Sequence, residues 1–326
     1  MTPSFRLGGV HHVSAVSAHI GRTHDFYTQV LGLRPVIKTV NQDSPTMYHL
    51  FFGDGAGTPG SDMTVFDIPN AAPERRGNNS ISLTAFRVNG EDALGYWAAR
   101  LKGFGISPLG ITSRDGRPVL DFEDLEGTQL SLIEDRGAGA AFPWDESPVP
   151  AEHQIRGLGY TTITVPELEP THHFLTEALG LRHDRAYPVI NAPPDNVHVY
   201  AIGDGGAHAE VHVVVRPELP RARHGAGGVH HVALRVPGGQ PMADWVGRLD
   251  AFGYGNSGIV DRHYFTSVYV REPNGVLFEL ATDGPGFDVD GPLDGERLSL
   301  PPFLEPRRAE IEARLKPLTS TKLAHA

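Results

Sequence analysis

The chain has 326 residues, a formal net charge of −11 and no cysteine. Its length predicts about two domains, and its acidic balance argues against nucleic acid or an anionic membrane as the main partner, because phosphate groups bind to basic surfaces. Without cysteine there is no disulfide framework, zinc–thiolate site or iron–sulfur cluster, so a metal site has to use His, Asp or Glu.

The N-terminal segment "MTPSFRLGGVHHV" has no apolar signal region, and no later stretch approaches the length of a membrane span. These features predict a cytoplasmic protein that is not inserted in a membrane.

The elements predicted in chain order repeat one arrangement. A first strand, "VHHVSAVS", is followed by a helix, "HDFYTQVLG", and by three strands, "RPVIKTV", "YHLFFGD" and "DMTVFDI". A second module runs from "SISLTAFRV" to "TQLSLIED", a third from "GYTTITVP" to "AEVHVVV", and a fourth from "VHHVALRV" to "VLFELAT". Alternating apolar residues indicate the strands, and helical stretches that end at Gly separate them. The sequence therefore predicts four βαβββ modules.

Two pairs of similar segments share one offset. The segment from His24 resembles the one from His172, and the segment from Ala99 resembles the one from Gly247, in both cases 148 residues further on. A shared offset indicates tandem duplication of a half-protein. We predict an α+β fold in which four βαβββ modules form two open barrel-like halves. The N-terminal half is predicted over 1–145, the C-terminal half over 146–284 and a surface-packed tail over 285–326.

The motif "GVHHV" occurs at Gly9 and again at Gly228. Its two His-His pairs are 219 residues apart, not 148, so the 148-residue duplication alone did not place them, although an ancestral module with such a pair, lost twice, would also fit. They occupy the first strands of modules one and four, whereas modules two and three have no such pair. This distribution suggests two halves of one metal site.

A carboxylate within an apolar strand supplies the third part of the pattern. Glu279 lies in "NGVLFELAT". Burying a carboxylate there costs free energy unless the carboxylate binds a metal or pairs with a cationic group. Two imidazoles and one carboxylate form the facial triad of non-haem iron(II) sites. If the preceding hairpin is symmetric about Asn274, Tyr269 lies opposite Glu279 and on the same face of the sheet.

With these motifs, the chain resembles the vicinal oxygen chelate superfamily, and within it the dioxygenases that open hydroquinone and chlorohydroquinone rings. Further segments that carry the resemblance are "YHLFFGD…GTPGSDMTVF", "DRHYFTSVYVREPNGVLFE" and "LPPFLEPRRAEIEARL". The resemblance implies iron ligands at His12, His231 and Glu279. Because these belong to modules one and four, we expect those modules to pair around the metal.

The resemblance also implies further catalytic residues near the metal, and these are His11, His230, Arg262, Tyr269 and Ser14, the last in place of a Thr in the family. Strand alternation should point His11 away from His12, so that His11 reaches the substrate only if twist or a bulge turns it.

Two other residues receive structural interpretations. Glu210 follows Gly206 at the spacing by which Glu279 follows Gly275, but its modules lack a His-His pair, so we interpret it as structural. His49 is expected to cover a surface.

The implied activity is iron(II)-dependent cleavage of a small aromatic diol by O2, with manganese(II) as the alternative metal. The sequence does not determine whether the protein forms a homo-oligomer. Catechol cleavage of the extradiol type is the nearest alternative. A glyoxalase-like isomerase or an antibiotic-modifying transferase generally uses a fourth protein ligand, and the matching position here is Thr64. A non-catalytic aromatic-binding protein is the remaining alternative, although such proteins commonly lose the triad.

Overall fold

A computed structural model of the protein describes residues 5–189, 196–238, 240–319 and 323. The end of the predicted tail, residues 320–322 and 324–326, lies outside them. Among the helices in the described ranges, none has the length and apolar character required to cross a bilayer.

The strands in these ranges are β1 (Val10–Ser17), β2 (Arg34–Asn41), β3 (Ser44–Gly53), β4 (Asp62–Asp67), β5 (Ser80–Val88), β6 (Thr112–Arg114), β7 (Arg117–Glu123), β8 (Gln129–Glu134), β9 (Leu158–Val165), β10 (Arg182–Pro188), β11 (Asn196–Ala201), β12 (Glu210–Val215), β13 (Val229–Val236), β14 (Val260–Asp261), β15 (Phe265–Arg271) and β16 (Leu277–Pro285). The α-helices are α1 (Ile20–Asp25), α2 (Glu91–Gly103), α3 (Leu168–His173), α4 (Met242–Ala251) and α5 (Arg308–Arg314). Short 3-10 turns lie at Ala151–His153 and Glu305–Arg307.

Strand pairing gives two open halves. One has the hydrogen-bonded order β2-β3-β4-β1-β13-β16-β15-β14, and the other has the order β10-β11-β12-β9-β5-β8-β7-β6. The halves meet where β13 pairs with β5, at Val229 and Ile81. The predicted α+β fold, with four βαβββ modules in two open barrel-like halves, is confirmed.

Each spatial half combines one module from the N-terminal half of the sequence with one from the C-terminal half. The seam between β1 and β13 joins modules one and four, and the seam between β5 and β9 joins modules two and three. The spatial halves therefore differ from the sequence halves 1–145 and 146–284, and those boundaries stay predictions.

The helices of modules one and three differ from ordinary α-helices in the same way. Both α1 and α3 continue into π-helical turns, at Phe26–Val30 and Phe174–Ala178, which are 148 residues apart. Arg100 of α2 donates to the carbonyl of Val30 at 2.8 Å, and Arg248 of α4 donates to the carbonyl of Ala178 at 2.6 Å. A guanidinium from the next module thus satisfies carbonyl groups that a helix end leaves without partners.

The segment after β16 packs against module one. The backbone N–H of Ser299 donates to the carbonyl of Lys38 at 2.8 Å, and Ile311 of α5 is buried beside β2. The Phe287 ring lies 5.0 Å from the ring of Phe51. The tail therefore packs against the half formed by modules one and four, which we call the metal half because it carries the predicted metal ligands.

In the half formed by modules two and three, the strand register corrects the alignment of Glu210 with Glu279 that is based on the spacing from a glycine. Thr162 of β9 pairs with His212 of β12, as Ala233 of β13 pairs with Glu279 of β16. His212, not Glu210, therefore occupies the position that Glu279 has in module four. Spacing from a glycine fails here because the turns that precede the two strands differ in length.

Glu210 is buried in an ion-pair network. Arg117 donates to its two carboxylate oxygens at 2.7 and 2.9 Å, Arg185 donates at 3.0 Å, and the Nε2 of His212 lies 3.0 Å away. Burial alone would raise the pKa of Glu210, but these cationic and N–H partners hold that pKa far below its usual value. Guanidinium groups thus neutralise this carboxylate.

Replacing Arg117 with Gln should lower the free energy of unfolding by about 2–3 kcal/mol, because Glu210 loses two charge-assisted hydrogen bonds while Arg185 remains. Urea unfolding followed by circular dichroism measures the change. Arg76→Gln is the matched control, since its pair with Glu123 is half exposed, and we expect a loss below about 1 kcal/mol. Equal losses in the two variants would contradict a structural role for the Glu210 network.

Candidate metal centre and active-site cavity

The β1–β13 seam brings two histidines from distant modules together. The Nε2 atoms of His12 and His231 lie 3.3 Å apart. The Oε2 atom of Glu279, on β16, lies 3.2 Å from the Nε2 of His12 and 2.8 Å from the Nε2 of His231. All three side chains are buried, with exposed fractions of 3% or less. Together they could hold one metal ion.

The donor set fits a metal ion better than a hydrogen-bonded cluster. The Oε2 of Glu279 is buried and accepts no hydrogen bond of good geometry, whereas its Oε1 accepts one from the Ser267 hydroxyl. Ligands at bond lengths of about 2.1 Å and at right angles lie about 3.0 Å apart, and the three observed separations are close to that value. Burial alone would raise the pKa of Glu279, but the facing imidazoles of His12 and His231 hold it well below its usual value, so the carboxylate is ionised.

His11 orients the ring of His12. The β1–β13 register shifts between Val10 and His12, so His11 is the extra residue of a β-bulge. Its Nδ1 lies 3.0 Å from the Nδ1 of His12, and its Nε2 lies 3.2 Å from the carbonyl oxygen of Thr282. If the Nε2–H of His11 donates to that carbonyl, its Nδ1 accepts from the Nδ1–H of His12. The Nε2 lone pair of His12 is then free for a metal.

His230 repeats this arrangement on β13. His230 is the extra residue of a second β-bulge, between His231 and Val229. Its Nδ1 lies 2.8 Å from the Nδ1 of His231. Unlike His11, His230 lines the cavity. Burial, followed by the neighbouring His12, lowers the pKa of His11 to about 3, so its ring is neutral near pH 7.

A row of hydroxyl groups ends at the second ligand. The Oγ of Ser14 lies 3.0 Å from the Nε2 of His231 and 2.6 Å from the Oγ1 of Thr64, which in turn lies 2.9 Å from the Nε2 of His49. Thr64 is thus engaged by two side chains at the position where a fourth protein ligand would stand. Among the described residues, the candidate ligands are therefore three.

The cavity above these ligands has a volume of about 320 Å³ and aromatic walls that include Phe51, Phe66 and Phe265. Arg262 and Tyr269 line its side, and the Nε–H of Arg262 donates to the Tyr269 hydroxyl oxygen at 3.1 Å. Tyr269 pairs directly with Glu279, the register that the symmetry of the hairpin predicts. Burial raises the pKa of Tyr269, so its phenol keeps its proton.

The structure places the predicted residues at different depths. His230, Arg262 and Tyr269 line the cavity, whereas His11 is buried behind His12 and Ser14 is buried beside the Nε2 of His231. The expectation that His49 covers a surface is wrong, because its ring forms part of the cavity wall and lies 4.1 Å from the ring of Phe66.

Sequence reasoning also missed Ser267, whose hydroxyl orients Glu279, and the turn residues Gln42 and Asp43, which border the cavity. Ser267 could have been found from the hairpin register, since it lies two residues before Tyr269 and on the same face. The two turn residues give no such signal.

Comparisons with known proteins agree with this fold. The family model described as "Glyoxalase/Bleomycin resistance protein/Dioxygenase superfamily" matches residues 9–132 and 157–280. A crystal structure described as a "putative dioxygenase from Bacillus subtilis" has a TM-score of 0.88 and 33% identity, and the match covers 98% of this chain and 100% of that one.

Two relatives have names that specify an activity. The Bacillus subtilis protein named "Putative ring-cleaving dioxygenase MhqA" is 48% identical over 96% of this chain and 99% of its own length. The "Chlorohydroquinone/hydroquinone 1,2-dioxygenase" of Sphingobium indicum is 30% identical over 94% of this chain and 95% of its own length. On these matches, the chain belongs to the glyoxalase/bleomycin resistance protein/dioxygenase superfamily.

Proposed function

We propose that the protein is an iron(II)-dependent dioxygenase that opens the ring of hydroquinone-type aromatics, including substituted or chlorinated ones. The observation that carries the proposal is the buried triad of His12, His231 and Glu279 beneath a small cavity with aromatic walls. The names of the relatives, which specify ring cleavage and in one case hydroquinone, support it.

The proposed ligands of the iron are His12, His231 and Glu279. Two imidazoles and one carboxylate are typical of iron(II) oxygenases, and manganese(II) accepts the same donors. When bound, the metal would supply adjacent positions for a substrate oxygen and for O2. His11 and His230 would fix the rings of their neighbours through the Nδ1 contacts of 3.0 and 2.8 Å, because the partner of the distal ring nitrogen sets the tautomer of a ligating histidine.

The side wall would position the ring of the substrate. Since Arg262 donates to the oxygen of Tyr269, the phenolic proton of Tyr269 is free to point into the cavity and donate to an oxygen atom there. The tautomer that the His231 contact requires leaves a proton on the Nε2 of His230, which donates to the second hydroxyl of the substrate. A cavity of about 320 Å³ suits a single aromatic ring.

Cleavage between a hydroxyl-bearing carbon and its neighbour adds both oxygen atoms of O2 to the substrate and gives an acyclic product with carboxylic acid and carbonyl ends. The aromatic wall of Phe51, Phe66 and Phe265 would stack on the ring and exclude water. The Ser14 hydroxyl, held by Thr64, would lie beside the Nε2 atom with which His231 faces the metal position.

Oxygen uptake by anaerobically iron(II)-loaded protein tests the proposal, with hydroquinone and catechol offered separately. We expect uptake and a new ring-opened chromophore with hydroquinone. Uptake with catechol alone would retain the dioxygenase class and reject the substrate. Bound metal without uptake from either diol would reject the proposal and favour an isomerase or a binding protein on the same fold.

Glu279→Gln should lose more than about 100-fold in iron(II) affinity, because even an outer hydrogen-bond partner of a ligand contributes 10–100-fold. Calorimetric titration with iron(II) and metal analysis after desalting measure the loss, and oxygen uptake should fall with it. Glu177→Gln, an exposed site on the other half, is the control and should bind iron(II) as the native protein does. Full iron binding and turnover by the Glu279 variant would reject the assigned ligand set.

Tyr269→Phe should lower kcat by about 100-fold, the contribution typical of a positioned proton donor, and should leave the iron content unchanged. Steady-state oxygen uptake gives kcat and KM, and metal analysis gives the iron content. Tyr254→Phe, a partly exposed tyrosine near Phe174, is the control. An unchanged kcat in the Tyr269 variant would remove this hydroxyl from the mechanism.

A further inference from the structure

The turn between β2 and β3 crosses from module one to module four at the border of the cavity. The side-chain amide of Gln42 donates to the carbonyl oxygen of Arg262 at 2.8 Å, and the Nη2 of Arg262 donates to the Oδ2 of Asp43 at 2.9 Å. Both turn residues line the cavity. A surface turn of one module thus supplies the counter-ion for a guanidinium group of another.

Asp43 and Arg262 are the oppositely charged pair of this cavity. Among the described residues that line it, Asp43 is the one carboxylate and Arg262 the one guanidinium, and the remaining titratable groups there are histidines and tyrosines. The Nε of Arg262 is occupied by Tyr269, and its Nη2 is occupied by Asp43. A carboxylate on the substrate ring would compete with Asp43 for the guanidinium group.

The duplicated half shows the same guanidinium paired in a different way. Arg114 lies 148 residues before Arg262 and donates to the carboxylate of Asp121, which occupies the position of Tyr269. That acid is fixed on a strand of the same hairpin, and 22% of its side chain is exposed. Asp43, by contrast, comes from a turn of another module and is 73% exposed. In the metal half, Tyr269 therefore stands where Asp121 stands in the other half, and the charge of Arg262 is balanced by Asp43, which comes from another module.

We propose that Asp43 determines which substrates enter the cavity: by pairing with Arg262, it makes the site accept uncharged dihydroxybenzenes and exclude rings that carry a carboxylate. A ring carboxylate would either leave Asp43 beside a like charge or have to displace it from the guanidinium group of Arg262, whose side chain is only 18% exposed, and both are unfavourable. This inference rests on the proposed function, since it specifies the substrate class of the same site.

Three aromatic probes separate charge from size: hydroquinone, 2,5-dihydroxybenzoate and the methyl ester of that acid, which has the bulk of a ring substituent without the charge. Binding of each is measured by anaerobic calorimetry with iron(II)-loaded protein, and turnover is measured by oxygen uptake. The native protein should bind the ester at least about 10-fold more tightly than the acid, because like-charge juxtaposition suppresses wrong ligands.

Asp43→Asn keeps the shape of the side chain and removes its charge. We expect the affinity for 2,5-dihydroxybenzoate to rise about 10-fold or more, with affinities for the ester and for hydroquinone changing by less than about 3-fold. In an Arg262→Gln background, the same substitution should give no gain for the acid, because the guanidinium group that attracts the carboxylate is absent. Asp92→Asn, at an exposed site on α2, controls for the change in net charge.

Two results would overturn the inference. One is equal rejection of the ester and the acid by the native protein, which would make the exclusion steric. The other is an Asp43→Asn variant whose preference between acid and ester is unchanged. Failure of the proposed function gives a different result, in which the probes bind but none of the three causes oxygen uptake. In that case the calorimetric affinities for the acid and the ester still decide the role of Asp43.

Discussion

The antiparallel seam between β1 and β13 is the constraint on which the candidate metal centre depends. Its register places Ser14 opposite His231 and Ala233 opposite His12, so that the imidazole rings of the two histidines meet with their Nε2 atoms 3.3 Å apart. A slip of one residue would turn one of the imidazoles to the other face of the sheet, and a slip of two would separate the rings by a further distance of about 7 Å. The parallel pairing of β13 with β16 then brings Glu279 to the same point. The site therefore exists only where modules one and four pair.

Bulges at this seam explain why histidines occur there in pairs. His11 and His230 are the extra residues at the two register shifts between β1 and β13, and each lies beside the ligand that follows it. The other seam has a shift of the same kind between Ile81 and Leu83, where Ser82 is the residue that matches His230. The bulge is thus a property of the duplicated architecture, and in the half of modules one and four it places a second imidazole against each candidate ligand. The two orienting rings differ in one respect, since His11 is tied to a backbone carbonyl whereas His230 reaches the cavity.

The two halves neutralise a buried carboxylate in different ways. In the second half, Glu210 is held by the guanidinium group of Arg117 and by Arg185. The residue of the metal half that matches Arg117 is Phe265, whose ring packs 5.3 Å from the ring of His12. Because Phe265 stands in the metal half where Arg117 stands in the other half, no guanidinium from this position neutralises Glu279. Its carboxylate faces two imidazoles instead, an arrangement that a cation stabilises. The same fold can therefore support an ion-pair network in one half and a candidate metal centre in the other.

The sequence by itself determined the module repeat, the α+β fold, the two His-His pairs with Glu279 as the candidate ligands and the register of Tyr269 against Glu279, because each follows from spacing along the chain: alternation within a strand, the 148-residue offset and the symmetry of one hairpin. The choice of His12 and His231 within the two pairs came from the resemblance to the family. Only the tertiary structure decided that His49 lies in the cavity wall, that Ser267 holds Glu279 and that Asp43 pairs with Arg262. Asp43 and Arg262 are 219 residues apart and belong to different modules. No local pattern relates them, because a turn and a distant strand become neighbours only when the seam between β1 and β13 has formed.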